Sequence, residues 1–199
     1  RGVGTSSNGA GAFGATLNLS TNDIIENHYA EINTSIGSFQ TLKNTIKVGT
    51  GLLKNHFTVD GRLSSVTSAG YIDRASSNLK SFYLSAAYLN KNSSLRLNIF
   101  SGKEKTYQAW NGVSEANLLT NRTMNTAGTE KPGNPYDNET DNYSQTHFQL
   151  FYNQNLKKNW KLSLSSFYTR GLGYYEQYKA NNAYAEYGLK DFIVNKDTI

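Results

Sequence analysis

The side chains that could do chemistry are few and scattered. His28, His56 and His147 are the three histidines, and the chain has no cysteine, so thiolate chemistry and disulfides are excluded. No two of the histidines have metal-binding spacing, and no cysteine completes a zinc set. Asp137, Glu139 and Asp141 alternate as at the start of a calcium loop. Asn142 stands where that loop needs glycine and Phe148 where it needs its closing carboxylate, so the run reads as a solvated acidic loop. Gly9, Gly11 and Gly14 spell G-x-G-x-x-G, but a dinucleotide site needs a strand before that run and a helix after it. Here no apolar strand precedes it and a β-patterned stretch follows, so we read a packed turn. No nucleophile–base arrangement is visible. We expect no enzyme, no cofactor and no metal site.

Binding is the better use of what remains. The segment 102–141 carries Tyr107, Trp110 and Tyr136, and the segment 171–188 carries Tyr174, Tyr175, Tyr178, Tyr184 and Tyr187. Aromatic rings on external loops offer large contact area with a polar edge, which suits gripping a ligand. Trp160 and Tyr168, at the ends of a strand, fit an aromatic girdle at a membrane interface instead.

The elements that position these residues are strands. Alternation is clear over 29–39, 42–52, 56–66, 79–89, 94–100, 143–154 and 160–168. Each puts an apolar face, such as Leu95, Leu97 and Ile99, against a polar one, such as Arg96 and Asn98. After the first hairpin the connections run short, long, short, long, short, long, with 102–141 the longest. That is the rhythm of an outer-membrane barrel, with short turns at one end and long loops at the other. No apolar run approaches the roughly 20 residues of a membrane-spanning helix, whereas barrel strands need only about 9–11. The net charge of +5 is spread rather than clustered, so no nucleic-acid partner is expected. The competing reading is a soluble or surface β-sandwich, an adhesin or carbohydrate-binding module, which also alternates.

The opening sharpens the choice. Arg1-Gly2, Ser6-Ser7, Gly9, Ala12, Phe13, Gly14, Asn18 and Thr21 follow one another in a glycine- and alanine-rich stretch that turns into a short strand over 16–21. This pattern resembles the end of the plug domain of TonB-dependent outer-membrane receptors. Val3, Asn8 and Ala15 depart from it, standing where that family has proline, an aromatic and glycine. Gly70–Arg74 and Phe100–Trp110 are similar to loop-flanking stretches of Bacteroidetes members.

The resemblance implies an all-β fold: the N-terminal portion of a transmembrane antiparallel barrel of about 22 strands, preceded by the C-terminal end of a plug. Residues 1–22 would be that plug end, 23–29 a linker and 30–199 the first strands and loops, a piece of a longer polypeptide. It also implies import past the plug of an iron-siderophore, cobalamin, haem or glycan, driven through TonB contacting a segment upstream. Lipid of the bacterial outer membrane would surround the wall. We expect Lys43, Lys47, Asp60, Arg62 and Arg96 to face the lumen, some of them contacting the plug and keeping it seated, and the resemblance implies that Arg1 pairs from the plug side with a carboxylate of the barrel. Reversing Arg1 to glutamate in the intact receptor should then raise leakage of small antibiotics.

Overall fold

The computed structural model describes residues 24–157 and 159–190, and the backbone of two short strands near the end, Ile193–Val194 and Asp197–Thr198. The plug-like opening, Arg1 included, lies outside the described residues.

Seven strands form one antiparallel sheet: β1 (Tyr29–Gly37), β2 (Thr41–Gly49), β3 (Phe57–Ser68), β4 (Ser77–Asn90), β5 (Ser93–Tyr107), β6 (Thr140–Asn155) and β7 (Lys161–Tyr175). They pair strictly in chain order, and the sheet does not close on itself. The two terminal strands, β8 (Ile193–Val194) and β9 (Asp197–Thr198), pair only with each other. One helix of a single turn and a half, α1 (Glu115–Thr120), lies in the long connection 108–139. The fold is all-β, and among the described residues no helix is long and apolar enough to cross a membrane.

Several strands run beyond the alternating stretches. β5 continues past Phe100 to Tyr107, so Gly102, Lys103, Glu104 and Lys105 are strand and not loop. Both of its faces are polar there, which erases the alternation by which a strand is recognised. β7 continues through Gly171 and Gly173 to Tyr175, the glycines lying beside Tyr143 of β6. β2 in turn stops at Gly49, short of Leu52.

Connections 38–40, 69–76 and 108–139 lie at one end of the sheet; 50–56, 91–92 and 156–160 lie at the other. The first end is bound together, since Ala69 donates its N–H to the Phe39 carbonyl at 2.8 Å. The contrast between ends is carried by 108–139 against 91–92, because 50–56 and 69–76 are nearly equal in length.

The register sorts side chains onto two faces. Through successive pairings Val48, Gly61, Leu84, Ile99, Phe148 and Tyr168 share one rung of the first face. Lys47, Arg62, Tyr83, Phe100, His147 and Thr169 share a rung of the second. The apolar face is the open one and the polar face holds buried side chains. On the apolar face Ile32 is 75 % exposed, Ile36 84 % and Leu63 61 %. On the polar face Thr45, Thr58, Ser85 and Asn98 are buried. Burying a Leu, Ile or Phe stabilises by about 1.5–3 kcal/mol, and the sheet by itself collects little of this.

Candidate functional site

Two places gather side chains beyond what pairing strands requires. The first is the end of the sheet under the long connection. Arg74, in a left-handed backbone conformation, extends its guanidinium toward the start of that connection's return. Its Nη2 donates to the carbonyls of Asn125 at 2.6 Å and Ala127 at 2.9 Å, and Nε donates to the Tyr107 hydroxyl at 3.3 Å. The guanidinium carbon also lies 5.7 Å from the centre of the Tyr107 ring. Tyr107 donates in turn to the Tyr136 carbonyl at 2.5 Å. Asn125, buried, uses its whole amide: Nδ2 donates to the carbonyls of Asp73 and Gln108, both at 2.9 Å, and Oδ1 accepts from the Ala127 N–H at 3.0 Å. Gly128 is required where it stands, with φ of +79° and the Tyr107 hydroxyl filling the place of a Cβ. Buried polar groups that are all satisfied specify one arrangement, so residues 108–139 form a folded cap.

Tyr107 was expected among exposed ligand-gripping rings and is instead 6 % exposed, the keystone beneath the cap. Above it the other candidates partly converge. Trp110 is 64 % exposed and meets Tyr175 edge-on at 6.4 Å. Tyr136 lies 5.8 Å from Tyr178. Tyr174 does not join them. It is part of β7, not of a loop, and successive strand residues point to opposite faces, so Tyr174 shares the apolar face with Asn142 while Tyr175 shares the polar face with Asp141. Tyr168, too, is inside β7 and not at its end, whereas Trp160 immediately precedes that strand and is largely exposed.

The Tyr136 hydroxyl donates to the Glu176 carboxylate, joining the cap to the chain beyond β7. That bond holds the tyrosine above its ordinary pKa, and it holds the Glu176 carboxyl below the ordinary carboxylate range with help from Asn138. Gln108 Nε2 adds a bond to the Glu176 carbonyl at 3.1 Å.

The second gathering is on the polar face. Lys43, Lys47, Asp60, Arg62 and Arg96 all fall on it, as expected from their alternation. Lys43, Lys47 and Arg62 line one groove with Asn33 and Thr45. Their charges are not equally available. Lys47 pairs with Glu31 at 3.1 Å, Asp60 accepts from the Tyr29 hydroxyl at 3.0 Å, and Arg96 reaches the Ser85 hydroxyl at 3.5 Å. Arg62 lies over the Tyr83 ring at 5.7 Å. From there the rung continues as aromatic contacts, Tyr83 to Phe100 at 6.4 Å and Phe100 stacked on His147 at 4.6 Å. Sequence alone does not give this rung. Its members come from four strands and meet only through the register.

The approach to β1 comes from this same face. Ile24 lines a groove with Ala87, Arg96, Phe151 and Asn153 near the end with short turns. Leu52 then donates its N–H to the Glu26 carbonyl at 2.9 Å, and Gly51, at φ of +66°, lets residues 26–28 pass close against the turn. No protein-family model, no curated protein and no solved structure matches this chain.

Proposed function

We propose that the chain is part of the wall of a TonB-dependent active transporter in a bacterial outer membrane, importing an extracellular ligand past a plug. The observation that carries this reading is the inverted distribution of polarity: one continuous sheet with aliphatic and aromatic side chains in the open on one face and satisfied polar side chains crowded on the other. Hydrocarbon against the first face and an aqueous lumen against the second satisfy both. Paired strands leave no backbone group unmet in lipid except at the two edges, which further strands of the same wall would cover.

The apolar band supports a tilted wall. Pairing carries Asn33 of β1 across to Thr45, Ser64, Ser81, Gly102 and Gln145. The apolar run centres on residue 33 in β1 but on Leu150 in β6, five positions beyond 145 toward the short turns. A slant of about one residue per strand is what a level band looks like on strands tilted roughly 35–45° to it.

The path of residues 24–28 supports a plug inside that wall, because a segment arriving along the polar face comes from the lumen. In this proposal the ligand is an iron-siderophore, cobalamin, haem or glycan, met first by Trp110 and Tyr136 of the cap and by the rings beside them, Tyr175 and Tyr178. Lys43 and Arg62, which form no ion pair among the described residues, turn their charges toward the plug. The transport step is a change in relative binding between two plug states, with no covalent chemistry.

The test uses the complete receptor in a strain lacking it. Growth on one defined iron, cobalamin or glycan source should depend on the receptor and on TonB, with the protein in the outer-membrane fraction. A protein recovered in the soluble fraction, with no such growth dependence, would reject the proposal in favour of a sandwich-type binding module.

A further inference from the structure

Above the apolar band, on the same outward face, the sheet carries an arrangement that is unfavourable by itself. Lys80 of β4 and Lys103 of β5 are directly paired, and both are exposed. Like charges facing each other across two strands destabilise the pair. Among the described residues neither lysine forms an ion pair, and the nearest acidic neighbour in sequence, Glu104, points to the other face. Lys105, next along β5 on this face, is already bonded to Asn138 at 2.7 Å. Arg170 of β7 lies one rung nearer the short turns, opposite Thr146, so the cations descend along the slant of the apolar band.

Immediately below the two lysines lie Ile46, Leu63 and Phe82. Together with Asn44, Ser65 and Ser101 they line a groove of about 430 Å³. The groove thus has a cationic rim and an apolar floor, both on the outside of the wall. A free anion would satisfy the rim and leave the floor uncovered. A hydrocarbon chain would do the reverse.

We propose that this groove binds a phosphate-bearing membrane lipid of the outer leaflet, with its phosphate between Lys80 and Lys103, Arg170 completing the positive rim, and an acyl chain along Phe82, Leu63 and Ile46. The proposal rests on the transporter-wall reading of the sheet. The rim lies toward the end bearing the cap, which places the lipid in the leaflet that faces outward. Such a lipid removes the repulsion between the paired lysines and anchors the strands beneath the cap at a fixed depth.

The complete receptor, stripped of native lipid, would be reconstituted in phosphatidylcholine nanodiscs doped with lipid A carrying both phosphates, or with the same lipid dephosphorylated. Bound lipid is counted by native mass spectrometry. The phosphorylated form should be retained in preference to the dephosphorylated one. Combining Lys80→Gln with Lys103→Gln should weaken that retention about 10- to 30-fold, since each lysine near a charged membrane surface contributes on the order of 1 kcal/mol. Lys80→Arg with Lys103→Arg should restore it, and Lys43→Gln, on the opposite face, should leave it unchanged. Equal retention by the wild type and the glutamine variant would overturn the proposal. So would competition by inorganic phosphate at the concentration of the lipid, which would mark an anion site without a lipid. A receptor that fails to enter the nanodisc at all would instead overturn the wall reading on which this one depends.

Discussion

The middle of the sheet and its capped end solve opposite problems. In the middle, Leu97, Leu84 and Leu150 project from the apolar face with about two-fifths of each residue uncovered, and no described residue covers that part. At the capped end, Asn125 and Tyr107 are buried and every polar atom of their side chains finds a partner within the chain. The cap is finished as it stands. In the proposed wall the middle is completed by a surrounding phase, and because a fluid phase has no fixed shape, the middle needs the right polarity where the cap needs the right geometry.

Substitutions can break that contrast, and the strongest goes to the middle. Leu97→Lys places a charge in the centre of the apolar band and should cost about 2–4 kcal/mol at the depth of a bilayer midplane. If the proposed wall is right, the complete protein should lose outer-membrane assembly, read from heat-dependent gel mobility. Gln149→Lys, on the polar face of the neighbouring strand, should assemble normally. If both lysines behave alike, the two faces do not see different solvents.

Next comes the cap. Arg74→Ala removes three hydrogen bonds and orphans the Asn125 carbonyl, while the Ala127 carbonyl keeps the Tyr107 hydroxyl at 3.2 Å, a loss of about 3 kcal/mol. The effect should stay local. Hydrogen exchange in 108–139 should accelerate while that in β3 to β6 holds.

A gentler substitution separates fluid surroundings from a packed core. Leu97→Trp should change stability by less than about 1 kcal/mol if lipid lies against it, whereas overfilling a jigsaw core costs about 1–3 kcal/mol. A large loss of stability here would favour a second sheet over a membrane.

The smallest effect is expected from pH. Glu176 has its carboxyl lowered, so what it adds to cap closure is present above the ordinary carboxylate value of 4.5 and is lost as pH falls through the lowered one. Tyr136 is raised, so its contribution is present below 10.0 and lost as pH climbs through the raised value. Protection of 108–139 should therefore be flat between these limits and fall at each extreme. Glu176→Gln should abolish the acid limb.

How much of this could be read from the chain alone follows the same division. Alternation depends on neighbours in sequence, so the strands, their apolar faces and the polar placement of Lys43, Lys47, Asp60, Arg62 and Arg96 were legible. The extension of β5 into Lys103–Tyr107 was not, because both faces turn polar once the strand leaves the band. Nor was β7 through Gly171 and Gly173, where residues with no side chain carry no pattern. The burial of Tyr107 depends on Arg74 and Asn125, and the rung from Arg62 to His147 depends on registers across four strands. Contacts between distant positions leave no mark in local periodicity. The plug-like opening had the most distinctive residues of all, and it is outside the described part of the chain.

The bond from Leu52 to Glu26 has a mechanical meaning. Any tension pulling on the chain ahead of β1 reaches that anchor before it reaches the first rung of the sheet. With Gly51 pressed against the backbone of residues 26–28, the anchor acts as a strain relief, like the clamp on a cable where it enters a housing. The sheet can then stay rigid while force is spent on the segment ahead of it.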